Sequence, residues 1–161
     1  MKPRPSPARK PPAAAATQRV GMSFYEEDLA ALFALRSELA RLGVNVSARL
    51  LVRALAHVAT DAEIFAHTLA RHQAEAAGKA GAKDTIAELG NYVLLNSDLE
   101  RFQRIGFDLE VEQVRGGRSF IMRSLIHAPW EMKKLAKAVA QFRREFPDAR
   151  TREVRALRGR G

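Results

Sequence analysis

Shifted by seventy residues, this sequence aligns with itself without a gap from about residue 20 to residue 70, and nothing else in it constrains the fold as much. LLVRALAHV (50–58) falls on FIMRSLIHA (120–128), EDLAALFAL (27–35) on SDLERFQRI (97–105), and FAHTLA (65–70) on LAKAVA (135–140). Nine positions are identical: Asp28/Asp98, Leu29/Leu99, Leu39/Leu109, Val44/Val114, Arg53/Arg123, Leu55/Leu125, His57/His127, Ala66/Ala136 and Ala70/Ala140. Apolar character matches further, with Met22 and Phe24 meeting Tyr92 and Leu94, and Leu32 and Leu35 meeting Phe102 and Ile105. Two leucine-rich helices can align by chance, but one register carried through three expected helices argues for a duplicated unit.

In RVGMSF (19–24), Val20, Met22 and Phe24 alternate with Arg19, Gly21 and Ser23, which predicts a strand. So short a strand cannot satisfy its own backbone donors and acceptors. The repeat supplies a partner near 89–95, LGNYVLL, with Tyr92 and Leu94 facing the core and Leu89, Asn91 and Val93 facing outward. Helices follow each strand. Leu29, Leu32, Phe33, Leu35, Leu39 and Leu42 lie at helical spacing, with acids Glu26, Glu27 and Asp28 in the first turn and Gly43 as a left-handed stop. Ser47 is placed as the N-cap of a second helix, and Thr60 with Glu63 as a capping box opening a third that runs to about Gly78. In the second unit the register predicts helices from about Asp98 to Val111, near 118–128, and over 129–146. Ser97 and Glu100 read as a capping box for the first of these, and Pro129 as a first-turn residue of the last. FDLEVEQV alternates like a strand; the repeat makes it helix.

The organisation read from the sequence is a disordered basic arm over 1–18, a first unit over 19–77, a linker over 78–88, a second unit over 89–146 and a basic tail over 147–161. The apolar fraction of 47% supports a globular core, and no apolar run is long enough to span a membrane. No secretory signal is visible, and zero cysteines exclude disulfides and thiolate chemistry while fitting a reducing cytoplasm. The net charge of +9 favours a polyanionic partner, with nucleic acid the commonest. A membrane surface would need a basic amphipathic helix with exposed aromatics, and none stands out.

Strand RVGMSF, helix EEDLAALFALRSELARLG, turn VN and helix SARLLVRALAHV together resemble a ribbon-helix-helix module of the Arc and MetJ superfamily. The resemblance covers roughly 19–58 and, more faintly, 89–128. It implies a mostly α fold with one two-stranded antiparallel β-ribbon, here a tandem pseudo-dimer in one polypeptide with an extra helix after each module. It also implies double-stranded DNA as partner, read through the major groove. Outward residues Arg19, Gly21, Ser23, Asn91 and Val93 would face base edges, and the second helix of each unit would aim its N-terminus, at Ser47, Ala48 and Arg49 and at Gly117, Arg118 and Ser119, at phosphates. Two unequal strands would read an asymmetric site. Tandem forms are similar to accessory proteins of plasmid conjugation and T-DNA transfer. That implies a monomeric, bacterial, plasmid- or nucleoid-associated factor that could meet a relaxase or another DNA-processing protein. A repressor, or an antitoxin-like interaction module using the third helices, is the alternative.

No catalytic constellation emerges, so the expectation is a non-enzyme without cofactor or metal. Asp28, Arg53 and His57 recur as Asp98, Arg123 and His127, but Arg and His four apart on a helix are better placed to support a facing helix by ion pairing. Glu63 and His67 have ligand spacing and lack a third ligand.

Overall fold

The computed structural model describes residues 16–78, 86–114 and 116–147. Among them the chain forms β1 (Thr17–Tyr25), α1 (Glu26–Arg41), α2 (Ala48–Val58), α3 (Asp61–Ala76), β2 (Ile86–Leu95), α4 (Asn96–Val111), α5 (Arg118–Ile126) and α6 (Met132–Glu145). The fold is mostly helical with one two-stranded antiparallel sheet. One strand and three helices therefore occur twice in the same order. Helices α1 and α4 begin seventy residues apart, at Glu26 and Asn96, as do α2 and α5, at Ala48 and Arg118.

The strands pair with Arg19 opposite Val93, Val20 opposite Tyr92, Gly21 opposite Asn91, Met22 opposite Gly90 and Ser23 opposite Leu89. Val20, Met22, Phe24, Tyr92 and Leu94 are buried, so period-two alternation puts one face of the ribbon on the helices. Phe24 and Tyr92 meet edge to face at 5.5 Å. Both strands are longer than their alternation suggests. Residues 86–88, expected as linker, and Thr17 and Gln18, expected as arm, belong to the ribbon, because Thr17 pairs with Leu95 and Tyr25 with Ile86. An antiparallel partner extends each strand to the length of the other, which neither sequence shows alone. Residues 1–15, 79–85 and 148–161, the rest of the expected arm and linker and nearly all of the tail, lie outside the described residues.

Helix ends repeat as well. Val44 N–H donates to Leu39 O at 2.8 Å and Val114 N–H to Leu109 O at 2.9 Å, while Gly43 and Gln113 N–H reach Ala40 O and Glu110 O. Both turns need a positive φ, +85° at Gly43 and +61° at Gln113. Ser47 caps α2 by accepting from Leu50 N–H at 3.1 Å, and Thr60 with Glu63 forms the expected box at α3. Thr60→Ala is expected to lower stability by about 1 kcal/mol, read as a shifted urea midpoint at unchanged slope.

Other boundaries differ from the sequence reading. Helix α4 starts at Asn96 with Leu95 as its N-cap, not at a Ser97 cap, because β2 runs into the helix without a loop, as β1 runs into α1. Helix α6 starts at Met132, capped by the Glu131 carboxylate on Lys134 N–H at 2.9 Å, so Pro129 lies in the connection before it. The cause is Trp130, whose indole N–H donates to Leu125 O at 2.7 Å and occupies the carbonyl end of α5 while the chain turns. Helix α5 accordingly ends at Ile126, and α3 ends at Ala76, two residues before Gly78 at φ +71°.

Helices α2 and α5 are nearly buried all round, with Leu51, Leu55, Met122 and Leu125 fully enclosed. Helix α6 packs on α2, and α3 on α5. In doing so α3 buries Ile64 and Thr68, and α6 buries Leu135, Val139 and Phe142, so the apolar stripes of the third helices are consumed inside the molecule. The repeated polar residues meet across the copies. His127 Nε2 lies 2.7 Å from Asp28 Oδ1, Arg123 Nε donates to Asp28 Oδ2 at 2.8 Å, and His57 Nδ1 lies 3.1 Å from Asp98 Oδ2. Each aspartate opens a first helix, and its histidine ends the second helix of the other unit.

Candidate nucleic-acid interface

The outer face of the ribbon is where the expected base-reading residues stand. Arg19, Gly21 and Asn91 are exposed, while Ser23 and Val93 are half-buried. Cross-strand pairing sets them in three rows, Arg19 with Val93, Gly21 with Asn91 and Ser23 with Leu89. Leu89, absent from the expected contact set, is 79% exposed at the end of that face. A Cβ on Gly21 would meet nothing nearer than Asn91 Oδ1 at 3.9 Å, so the glycine keeps the middle of the face low without serving the fold.

A two-stranded ribbon has two edges, each with a row of unpaired backbone groups. Here each edge is held by the N-terminus of a helix. Ser23 N–H on β1 donates to Ser119 Oγ of α5 at 3.0 Å, and Arg49 Nη1 of α2 donates to Asn91 O on β2 at 2.6 Å. Arg49 also lies over the Tyr92 ring, 5.6 Å from its centroid. Arg49 and Ser119 are seventy residues apart in sequence. Two residues expected to touch phosphate thus already hold the ribbon, and that role could not be read from spacing because the contacts join residues 42 and 96 apart.

The remaining expected contacts sit around these tethers. Ser47 is exposed and committed to its cap, and Ala48 is half-buried beside it. Gly117 and Arg118 are exposed, and Gly117 as N-cap has no side chain to occupy the first amides of α5. Those N–H groups and the positive end of the helix dipole suit an anion. At the entry to α2, Arg143 of α6 donates to Asn45 O, a basic neighbour that no local signal announced. Beneath the ribbon, Tyr92 O–H donates to Glu88 Oε1 at 3.1 Å, and burial together with that carboxylate pushes the phenol pKa up to about 12. Tyr92 therefore stays neutral as part of the floor on which the outer face rests.

Among the described residues no group of three or more His, Asp or Glu is placed to hold a metal ion, and no helix is long and apolar enough to cross a membrane. The chain matches no family model, no curated protein and no solved structure.

Proposed function

We propose that this chain is a tandem ribbon-helix-helix protein that lays the outer face of its β-ribbon in the major groove of double-stranded DNA. The observation that carries the reading is the ribbon face, exposed at Arg19, Gly21, Leu89 and Asn91 and flanked on both sides by helix N-termini fastened to its edges. A ribbon of two strands fits the major groove, where each base pair presents its own donor and acceptor pattern. Arg19 would bind guanine, Asn91 adenine, and Val93 and Leu89 thymine methyl groups, while the first turns of α2 and α5 with Arg118 would position the protein on phosphates. The pairing of Gly21 with Asn91, seventy residues apart, puts the centre of the proposed pseudo-dimer at mid-ribbon. Different residues then follow on either side, so the preferred site should be asymmetric. An accessory or regulatory role on a plasmid or in DNA transfer is the process this reading fits, in a bacterial cytoplasm and with a DNA-processing protein as a further partner.

The test is a titration of labelled duplex at several salt concentrations, followed by selection of preferred sequences from a random pool. With three to five phosphate contacts, the logarithm of the binding constant should fall against that of salt with a slope of about −3 to −4.5. No binding to any duplex at low salt would overturn the reading.

A further inference from the structure

We infer that the groove between α4 and the turn entering α5 is a binding site for an alkylguanidinium group, the chemistry of an arginine side chain. The inference does not rest on DNA binding. It comes from one corner that the two copies build differently. In the first copy, Arg36 on α1 donates from Nε to Val46 O at 3.0 Å, across the turn that leads into α2. Seventy residues on, both positions are glycine, Gly106 and Gly116. Where the first copy holds a guanidinium, the second leaves a groove of about 500 Å³.

The acceptor survives the loss of its donor. Gly116 O lies 3.9 Å from where a Cβ on Gly106 would stand, so a donor lying in the groove meets it much as Arg36 meets Val46 O. Among the described residues no side chain donates to Gly116 O. The walls are Leu99, Phe102 and Phe107 of α4 and Ile121 of α5, and Phe107 is 59% exposed. Such walls suit the apolar stem of the ligand and the flat face of a weakly hydrated cation. Gly116 could not carry even a methyl group without displacing its neighbour, because a Cβ there would stand 2.8 Å from Phe120 Cδ1. The lining holds one acid, Glu110, and one base, Arg118. Net charge therefore does not select the ligand; a carbonyl, a carboxylate and aromatic faces do, and these favour guanidinium over ammonium.

Ethylguanidinium and ethylammonium titrated into the full chain, with backbone amide shifts read by NMR, test the site. Saturable shifts at Gly106, Gly116 and Gly117 with ethylguanidinium are expected, at least tenfold weaker with ethylammonium, and with Gly43 unmoved. Gly106→Arg, which restores the arrangement of the first copy, should weaken binding at least tenfold. So should Phe107→Ala, whose exposed ring the core does not need. Replacing Arg4 and Arg9 by Lys tests one source: tighter binding of the probe identifies the stretch 1–15 as a resident occupant, and unchanged binding shows a site open to a guanidinium from elsewhere. Absence of saturable shifts in both the native chain and that variant, equal shifts with ethylammonium, or full binding in Gly106→Arg and Phe107→Ala would overturn the site.

Discussion

Asp28→Ala is expected to destabilise the protein by about 3–5 kcal/mol, because it leaves a buried guanidinium without its carboxylate. Asp28 is fully buried and accepts from Tyr25 N–H at 2.8 Å and from Arg123 Nε at 2.8 Å, with His127 Nε2 at 2.7 Å. The Arg123 side chain is 8% exposed and, among the described residues, keeps Glu75 at 2.9 Å and the Tyr25 and Phe120 rings at 4.6 and 5.7 Å once the carboxylate is gone. Against a total stability of roughly 5–15 kcal/mol, the loss should be plain in urea denaturation. Asp98→Ala should cost less. Arg101, the guanidinium on Asp98 at 3.0 Å, retains Asp61 at 2.7 Å and carbonyls at the end of α2, and His57 is 34% exposed. The same site gives a pH dependence. Burial pushes the Asp28 carboxyl up, but His127, Tyr25 N–H and Arg123 together outweigh it and hold the folded pKa below the ordinary 3.8. A depressed folded pKa contributes stability that is whole above the unfolded value and lost as pH falls through the folded one. Native protein should therefore lose stability below about pH 4 more steeply than Asp28→Ala does.

The seventy-residue self-alignment of the sequence made much of this fold legible. Strand alternation at Val20, Met22 and Phe24, the cap at Ser47, the box at Thr60 and the stop at Gly43 are local signals. Through the seventy-residue register the alternation carries to Tyr92 and Leu94 and the stop to Gln113, while the two caps do not carry, since Gly117 and Trp130 stand where Ser47 and Thr60 do. FDLEVEQV is the clearest gain, since its alternation points to a strand and only the register makes it the end of α4. The failures have a common cause. Leu95, Thr17 and residues 86–88 take their structure from a strand on the far side of the sequence, and Pro129 gives way to an indole hydrogen bond that composition does not announce. The outward face of the ribbon followed from alternation alone. Its tethers did not, because Arg49 and Ser119 look like any polar residues at a helix start until the partner strand is beside them. Nor did the groove at Gly106 and Gly116. Its signal was a pair of glycines aligned with Arg36 and Val46, which matters only when those two are known to touch.

Arg19→Ala should cost roughly 1–3 kcal/mol on the preferred duplex, about five- to 150-fold in affinity, with a much smaller loss on random sequence. Arg19 is exposed on β1, so its removal should leave the urea midpoint where it was. Arg118→Ala should weaken preferred and random duplexes alike and make the salt slope shallower by about one, because a phosphate contact releases counterions and reads no base. Arg49→Ala belongs to neither class. Its guanidinium holds Asn91 O and covers Tyr92, so its loss should loosen β2 and blur discrimination at the Asn91 end of the site while also removing a charge beside phosphate. The three variants therefore separate reading, positioning and tethering in one set of titrations, each measured on preferred and random duplex at two salt concentrations. Equal losses from Arg19→Ala and Arg118→Ala on both duplexes would mean that the ribbon face carries no sequence readout, and binding would then be electrostatic attraction to a basic surface.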